Sequence, residues 1–272
     1  MTVSFEKAPL KEIIAEVRWG AGNLPLEIPV NQPVALPASF FADSAQEKLF
    51  IGLGEELSKI GYGRSERLTP AGFPAIPGQP VYRYQSNPPT EPVLFQAGLG
   101  QFSVHGVPPY KSWDEFLPTV KRGLDALLRV YPQVMGDQPF SSVTLRYIDF
   151  FEDDLIQGRD VIAFMSAILR IDLRIPNFVS AMAVKKNAEN VFLKFSFPVE
   201  NGALNINVGD GKFNNRQGVL LDTSVAASKA IPATLDDALI VLGQSYTVLH
   251  ELFLNLTEPI QHLMGPKGAV VA

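Results

Sequence analysis

Along residues 12–19, Ile13, Ala15, Val17 and Trp19 are interleaved with Glu12, Ile14, Glu16 and Arg18. This period of two predicts a strand with one buried face. Pro25, Pro29, Pro33 and Pro37 follow at four-residue spacing. Each removes a backbone donor and biases its predecessor away from the helical region, so residues 20–37 read as an extended surface crossing. Ser44 with Glu47 forms a capping-box pair, and Ala45, Leu49, Leu53, Leu57 and Ile60 recur at helical spacing up to Gly61. A Gly/Pro-rich loop over 69–80 leads to predicted strands at 81–85, 93–97 and 101–106, the last two joined by a tight turn at Gly98, Leu99 and Gly100. Ser112 with Glu115 repeats the capping box. It opens a helix whose Trp113, Phe116, Leu117, Val120, Leu124, Leu127, Leu128 and Tyr131 make one apolar stripe.

The pattern then starts again. Residues 143–150 alternate as a strand, and 160–169 form a short apolar helix. Residues 179–183, 191–197, 204–208 and 218–222 read as strands, with a turn at Gly209, Asp210 and Gly211. Pro232, Thr234, Asp236 and Asp237 open a long helix in which Leu235, Leu239, Leu242, Tyr246, Leu249, Phe253 and Leu256 share a face; Pro259 kinks or restarts it. The element order therefore predicts an internal duplication, residues 1–136 and 137–272, packed as one compact unit. The fold class is α+β: two pseudo-repeated strand, helix, meander, helix halves forming a curved antiparallel sheet with helices on one face. A closed sheet gripping the long helix is the competing geometry. In a sheet with an internal dyad the first strands of the halves meet at the centre. Aligning them equates Ile13 with Val143, Ala15 with Leu145, Glu16 with Arg146 and Val17 with Tyr147. Glu16, Arg18 and Arg146 then project from the unburied face, where Glu16 is expected to pair with Arg146 or with Arg18, with Tyr110 and Asp149 as neighbours.

Composition narrows the classes. At 272 residues, 46% hydrophobic and 19% charged, the chain has ample material for a sizeable core. With 23 basic and 28 acidic residues the net charge is −5, which disfavours nucleic acid as a partner. The absence of Cys removes disulfides, thiolate metal sites and Cys nucleophiles, and fits a reducing compartment. The opening residues lack a secretory pattern, and no stretch reaches about 18 apolar residues, so the expected location is cytoplasmic, with no membrane partner.

Candidate chemistry is sparse. His105, His250 and His262 are the groups that titrate near neutral pH, and none has zinc-motif spacing. Acidic pairs occur at Glu55 and Glu56 and at Asp236 and Asp237, the latter placed to meet a helix dipole. The run Glu152, Asp153, Asp154 at a strand end is the best metal candidate, yet a solvated loop explains it more simply. Gly52, Gly54, Gly98 and Gly100 are incomplete glycine fingerprints, and no P-loop or nucleophile elbow occurs. No catalytic residue, metal site or cofactor is assigned. Phe40, Phe41, Phe50, Phe192, Phe195 and Phe197 exceed what alternation requires; the ordinary reading is core, the functional one an apolar groove.

Element order resembles that of TATA-binding-protein-like folds, a likeness that transfers no function. A second resemblance rests on Phe5, Ala8, Pro9, Leu10, Glu12 and Arg18, on Tyr110 and Trp113, on Leu145, Arg146, Tyr147, Ile148 and Asp149, and on His250, Phe253 and Thr257. Together these look like a family of sporadically distributed prokaryotic proteins of similar length without an assigned activity, in which Asn more often stands at the place of Asp149. The resemblance implies one full-length unit and, by its patchy occurrence, an accessory or defence-like setting. The binding residues expected from these readings are Glu16, Arg18, Tyr110, Trp113, Arg146, Tyr147, Asp149 and His250. The leading functional expectation is a non-catalytic binding or regulatory protein that engages a protein partner, with a homodimer among the options. The alternatives are a small-ligand binding protein with an apolar cavity and an enzyme using His250 with the strand-end acidic run.

Overall fold

A computed structural model describes residues 4–20, 44–70, 73, 75–108, 112–183, 190–200 and 202–267. The proline-rich crossing, Tyr110, Phe40 and Phe41 lie outside these. In chain order the elements are β1 (Ser4–Phe5), β2 (Leu10–Arg18), α1 (Ser44–Lys59), β3 (Arg64–Arg67), β4 (Pro80–Gln85), β5 (Val93–Gly98), β6 (Gln101–Gly106), α2 (Trp113–Met135) and β7 (Ser142–Phe151). There follow α3 (Val161–Ala167), α4 (Asn177–Met182), β8 (Phe192–Val199), β9 (Gly202–Phe213), β10 (Arg216–Ala227), α5 (Leu235–Thr257), a 3-10 turn (Glu258–Ile260), α6 (Gln261–Met264) and β11 (Pro266–Lys267).

Nine strands make one open antiparallel sheet in the order β3-β4-β5-β6-β2-β7-β10-β9-β8, while β1 pairs with β11 apart from it. Outward from the centre, first strand, last strand, middle strand and second strand follow in the same sequence in both halves. The central register sets Ile13 opposite Tyr147, Ala15 opposite Leu145 and Val17 opposite Val143. Under the correspondence of Ile13 with Val143 these pairs exchange into one another, so a pseudo-dyad passes between Ala15 and Leu145. The first strands meet at the centre as expected.

All odd-numbered positions of β7 face the helices. One core cluster joins Ile13, Ala15, Val17, Val143 and Leu145 to Leu49 and Leu53 of α1, Val120 and Leu124 of α2, and Leu242 of α5. A second joins Phe151, Val208 and Leu221 to Phe164 and Met165 of α3, with Ile260 and Met264 beyond α5. Both lie on the same face of the sheet; no described helix covers the other. The helix starts follow their capping residues: Ser112 accepts from the Glu115 N–H, Asp160 from Ala163, and Thr234 from Asp237. After Pro259 the chain restarts as α6, as the sequence suggests. Among the described residues, Leu235–Met264 alone is long and apolar enough to cross a membrane by length and composition; Ala238, Leu242 and Leu249 of this stretch are buried in the core.

Two sequence expectations are corrected. Residues 179–183 do not form a strand, because the chain turns at Pro176 into the short helix α4. Its Phe178, Val179 and Met182 stay exposed, so no sheet position claims them. Gly209, Asp210 and Gly211 do not turn either. β9 runs through them, and the turn comes at Asn214 and Asn215, both with positive φ (47° and 65°), the short polar residues that tolerate that region. The glycines are there for close approach: a Cβ on Gly209 would lie 2.3 Å from the Val191 carbonyl oxygen, and one on Gly211 would lie 2.9 Å from the Phe150 ring. β3, made of Arg64, Ser65, Glu66 and Arg67, has no apolar alternation to betray it.

Candidate functional site

The expected site residues divide between the two faces of the sheet. On the helix side, Trp113 at the start of α2 stacks on Tyr246 of α5 (5.6 Å between ring centroids), and Tyr246 stacks on His250 one turn along (5.2 Å). The capped first turn of α2 fixes Trp113 over α5. From the sheet, Tyr147 and Asp149 point toward the same layer, at the gap between the two core clusters. Among the described residues, the buried Tyr147 hydroxyl has no hydrogen-bond partner. Its ionisation is pushed far up by burial first, then by the neighbouring Tyr246, Asp149 and Asp114.

Asp149 is 3% exposed, and no hydrogen bond or ion pair reaches its carboxyl among the described residues. Burial, reinforced by the charge of Asp222, raises its pKa from 3.8 to about 7. His250 shifts the other way: burial lowers its proton affinity, only partly offset by Glu251 and Asp114. This corner therefore collects a carboxyl whose pKa burial raises toward neutrality, a phenol without a hydrogen-bond partner among the described residues and a stacked aromatic ladder. Such a set can receive a hydrogen-bonding or cationic group.

Glu16, Arg18 and Arg146 project from the opposite face, as expected. Glu16 accepts from the Arg18 Nε at 2.6 Å, the second of the two pairings anticipated. Arg146 turns instead to Asp222 on β10, donating from Nε and Nη2 at 2.7 and 2.6 Å in a bidentate grip, while Glu16 is taken by Arg18. Asn207 on β9 extends the pair by donating to Asp222 at 3.4 Å. On the other side, His105 of β6 bonds Glu12 at 2.8 Å and Ser103 at 2.9 Å. A polar row thus runs across β6, β2, β7, β10 and β9. Asp149 is not its neighbour: strand alternation sends Asp149 to the helix side and Arg146 to this one.

Beside this row lies a groove of about 530 Å³ lined by Lys11, Glu12, Ile148, Phe150, Lys212 and Phe213 among others. Its floor is aromatic, with Phe150 and Phe213 at 5.9 Å and the Lys11 ammonium over both rings, at 5.9 and 5.1 Å. Gly211 and Gly218 make room for the Phe150 ring, since a Cβ at either would come within 3 Å of it.

The acidic run at the strand end is occupied. Lys11 pairs with Glu152 at 3.0 Å, and Arg216 with Asp153 at 3.1 Å. No hydrogen bond or ion pair joins it to His250 among the described residues, and these contain no group of three or more His, Asp or Glu side chains arranged to hold a metal. Sequence reasoning missed Asp222, Asn207, Lys11 and Phe213. Asp222 could have been found from the polar side of its alternation, but its partner lies 76 residues away. Phe213 is legible only once the turn is placed at Asn214. Comparison of the chain with protein-family models, curated proteins and solved structures gives no match.

Proposed function

We propose that the protein is a non-catalytic binding or regulatory module, cytoplasmic and of an accessory or defence-like kind, that engages a protein partner on the helix-free face of its sheet. The observation that supports this is the groove over Phe150 and Phe213. An apolar floor sized for one or two inserted side chains is bordered by Lys11 and Lys212, next to a row of fixed charges. Lys11 is already held by Glu152, which leaves Lys212 to meet an acidic group flanking the inserted residue.

The test is capture from the native host by the full chain, with mass spectrometric identification of what is retained. One protein is expected to bind wild type specifically and to be lost from a Lys212→Glu, Phe213→Asp double variant, both positions being exposed. Equal retention by wild type and variant, or no specific protein under several growth conditions, would refute the groove as the docking surface.

A second reading, small-ligand binding, is favoured by the Tyr147 hydroxyl, which has no hydrogen-bond partner among the described residues, and by the buried Asp149 carboxyl, both on the side of the sheet that carries the Trp113, Tyr246 and His250 ladder. That environment suits a ligand bearing an ammonium or guanidinium group. A thermal-shift screen of alkylammonium and guanidinium compounds checks it. A true ligand at about 100 times its dissociation constant adds about 2.7 kcal/mol to stability, and the gain should vanish in Asp149→Asn.

A further inference from the structure

The two outer edges of the sheet differ. In the first half β4 is covered by β3, whose Arg64 and Arg67 pair opposite Gln85 and Tyr82. The equivalent strand of the second half is β8, and no described strand covers it. The pseudo-dyad therefore marks a strand position that is filled on one side of the molecule and, among the described residues, open on the other.

The direction of the free groups on β8 follows from its inner pairing. The Asp210 N–H donates to the Val191 carbonyl at 2.9 Å, so Val191 and the odd-numbered residues after it direct their backbone toward β9. The alternation then sends the N–H and C=O groups of Phe192, Lys194 and Ser196 outward. Pro198 falls on the same outer side and has no donor to lose. The side chains there are apolar and open to water, Phe192 being 67% and Phe197 48% exposed. A long apolar edge of this kind is a template for another strand.

From this edge we infer that β8 pairs with β8 of a second copy, antiparallel about a two-fold axis at Phe195, giving a homodimer with one continuous eighteen-stranded sheet. The edge is complementary to itself. About Phe195, the helix-side residues Leu193 and Phe197 face one another across the axis and Phe195 faces its own copy. On the other face Lys194 sits opposite Ser196. The outward groups of Lys194 and Ser196 then bond each other in both directions, and each Phe192 N–H reaches the Pro198 carbonyl. A one-residue slip would set helix-side residues against those of the other face. Centring on Lys194 would oppose two ammonium groups. The interface uses neither Lys212 nor Phe213, so it stands or falls apart from the groove.

Light scattering of the full chain at micromolar concentration is expected to give twice 29.8 kDa. Ser196→Pro removes an outward N–H that the single chain does not use, so it should give a monomer with unchanged circular dichroism and a thermal midpoint that, unlike the wild type's, does not depend on protein concentration. The absence of Cys permits a register test. Phe195→Cys places two thiols about 4.5 Å apart by Cα in a non-hydrogen-bonded pair and should oxidise to a covalent dimer. Phe192→Cys, about 20 Å from its copy at the strand rise per residue, should not. A monomeric wild type, a dimer that survives Ser196→Pro, or crosslinking through Phe192→Cys in preference to Phe195→Cys would overturn the inference.

Discussion

Asp149→Asn is expected to stabilise the protein by roughly 4 kcal/mol at pH 8 and to leave its stability unchanged near pH 4. The carboxyl is buried on the helix side of β7 without a partner among the described residues, and its pKa rises from 3.8 to about 7. The folded protein thus holds the proton more tightly than the unfolded chain, and folding takes up a proton between those two values. Stability of the wild type therefore falls as pH rises through that window, and is level on either side of it. At about 1.4 kcal/mol for each tenfold difference in proton affinity, the span amounts to the stated loss. The amide keeps the shape and never ionises, so the variant should lack this pH slope. Urea denaturation of both proteins from acid to mildly alkaline pH measures it. A wild-type curve with no fall across the window would show that the carboxyl is solvated or paired.

Leu145→Ala should cost about 3 to 4 kcal/mol, in the range for a fully buried leucine whose site cannot collapse. Leu145 is completely buried beside the pseudo-dyad, opposite Ala15. It belongs to a core cluster that takes residues from α1 and α2 of the first half and α5 of the second. The small residue across the strand cannot fill the space left behind. Because this cluster spans both halves, the variant should still unfold in one transition. Fluorescence reports the surroundings of Trp19 and Trp113, the chain's two tryptophans, that is, the first half and its contact with Tyr246 of α5, whereas far-ultraviolet circular dichroism reports the whole. Coincident midpoints are expected. Separated midpoints would show that the halves fold independently.

The sequence was most legible where local chemistry and burial agree. Alternation located β2 and β7, capping residues located the starts of α2 and α5, and the alignment of the two first strands anticipated that they meet at the centre of the sheet. It was least legible where apolar residues have no partner to bury them. Val179 and its neighbours read as a strand because β-branched and aromatic residues suit one, yet nothing in the sheet receives them. β3 was invisible for the converse reason, an edge strand of charged residues carrying no hydrophobic period. The site residues were found as types but not as a place. Neighbouring positions on a strand point to opposite faces, so Arg146 and Asp149, three apart in sequence, belong to different surfaces. Arg146 could not be matched to Asp222 without knowing which strand lies beside β7.

The correspondence that equates Ile13 with Val143 and Ala15 with Leu145 also equates Trp19 with Asp149. In the first half this place holds a fully buried indole set edge-on against Tyr131 at 5.2 Å. In the second it holds a buried carboxyl that no hydrogen bond or ion pair reaches among the described residues. Trp19 lies just past the end of β2, whereas Asp149 lies inside β7. The first half spends this place on rigidity and closes its outer edge with a charged strand. The second buries an acidic group there, and no described strand covers β8, so the two ends of the sheet offer different surfaces to anything that docks on them.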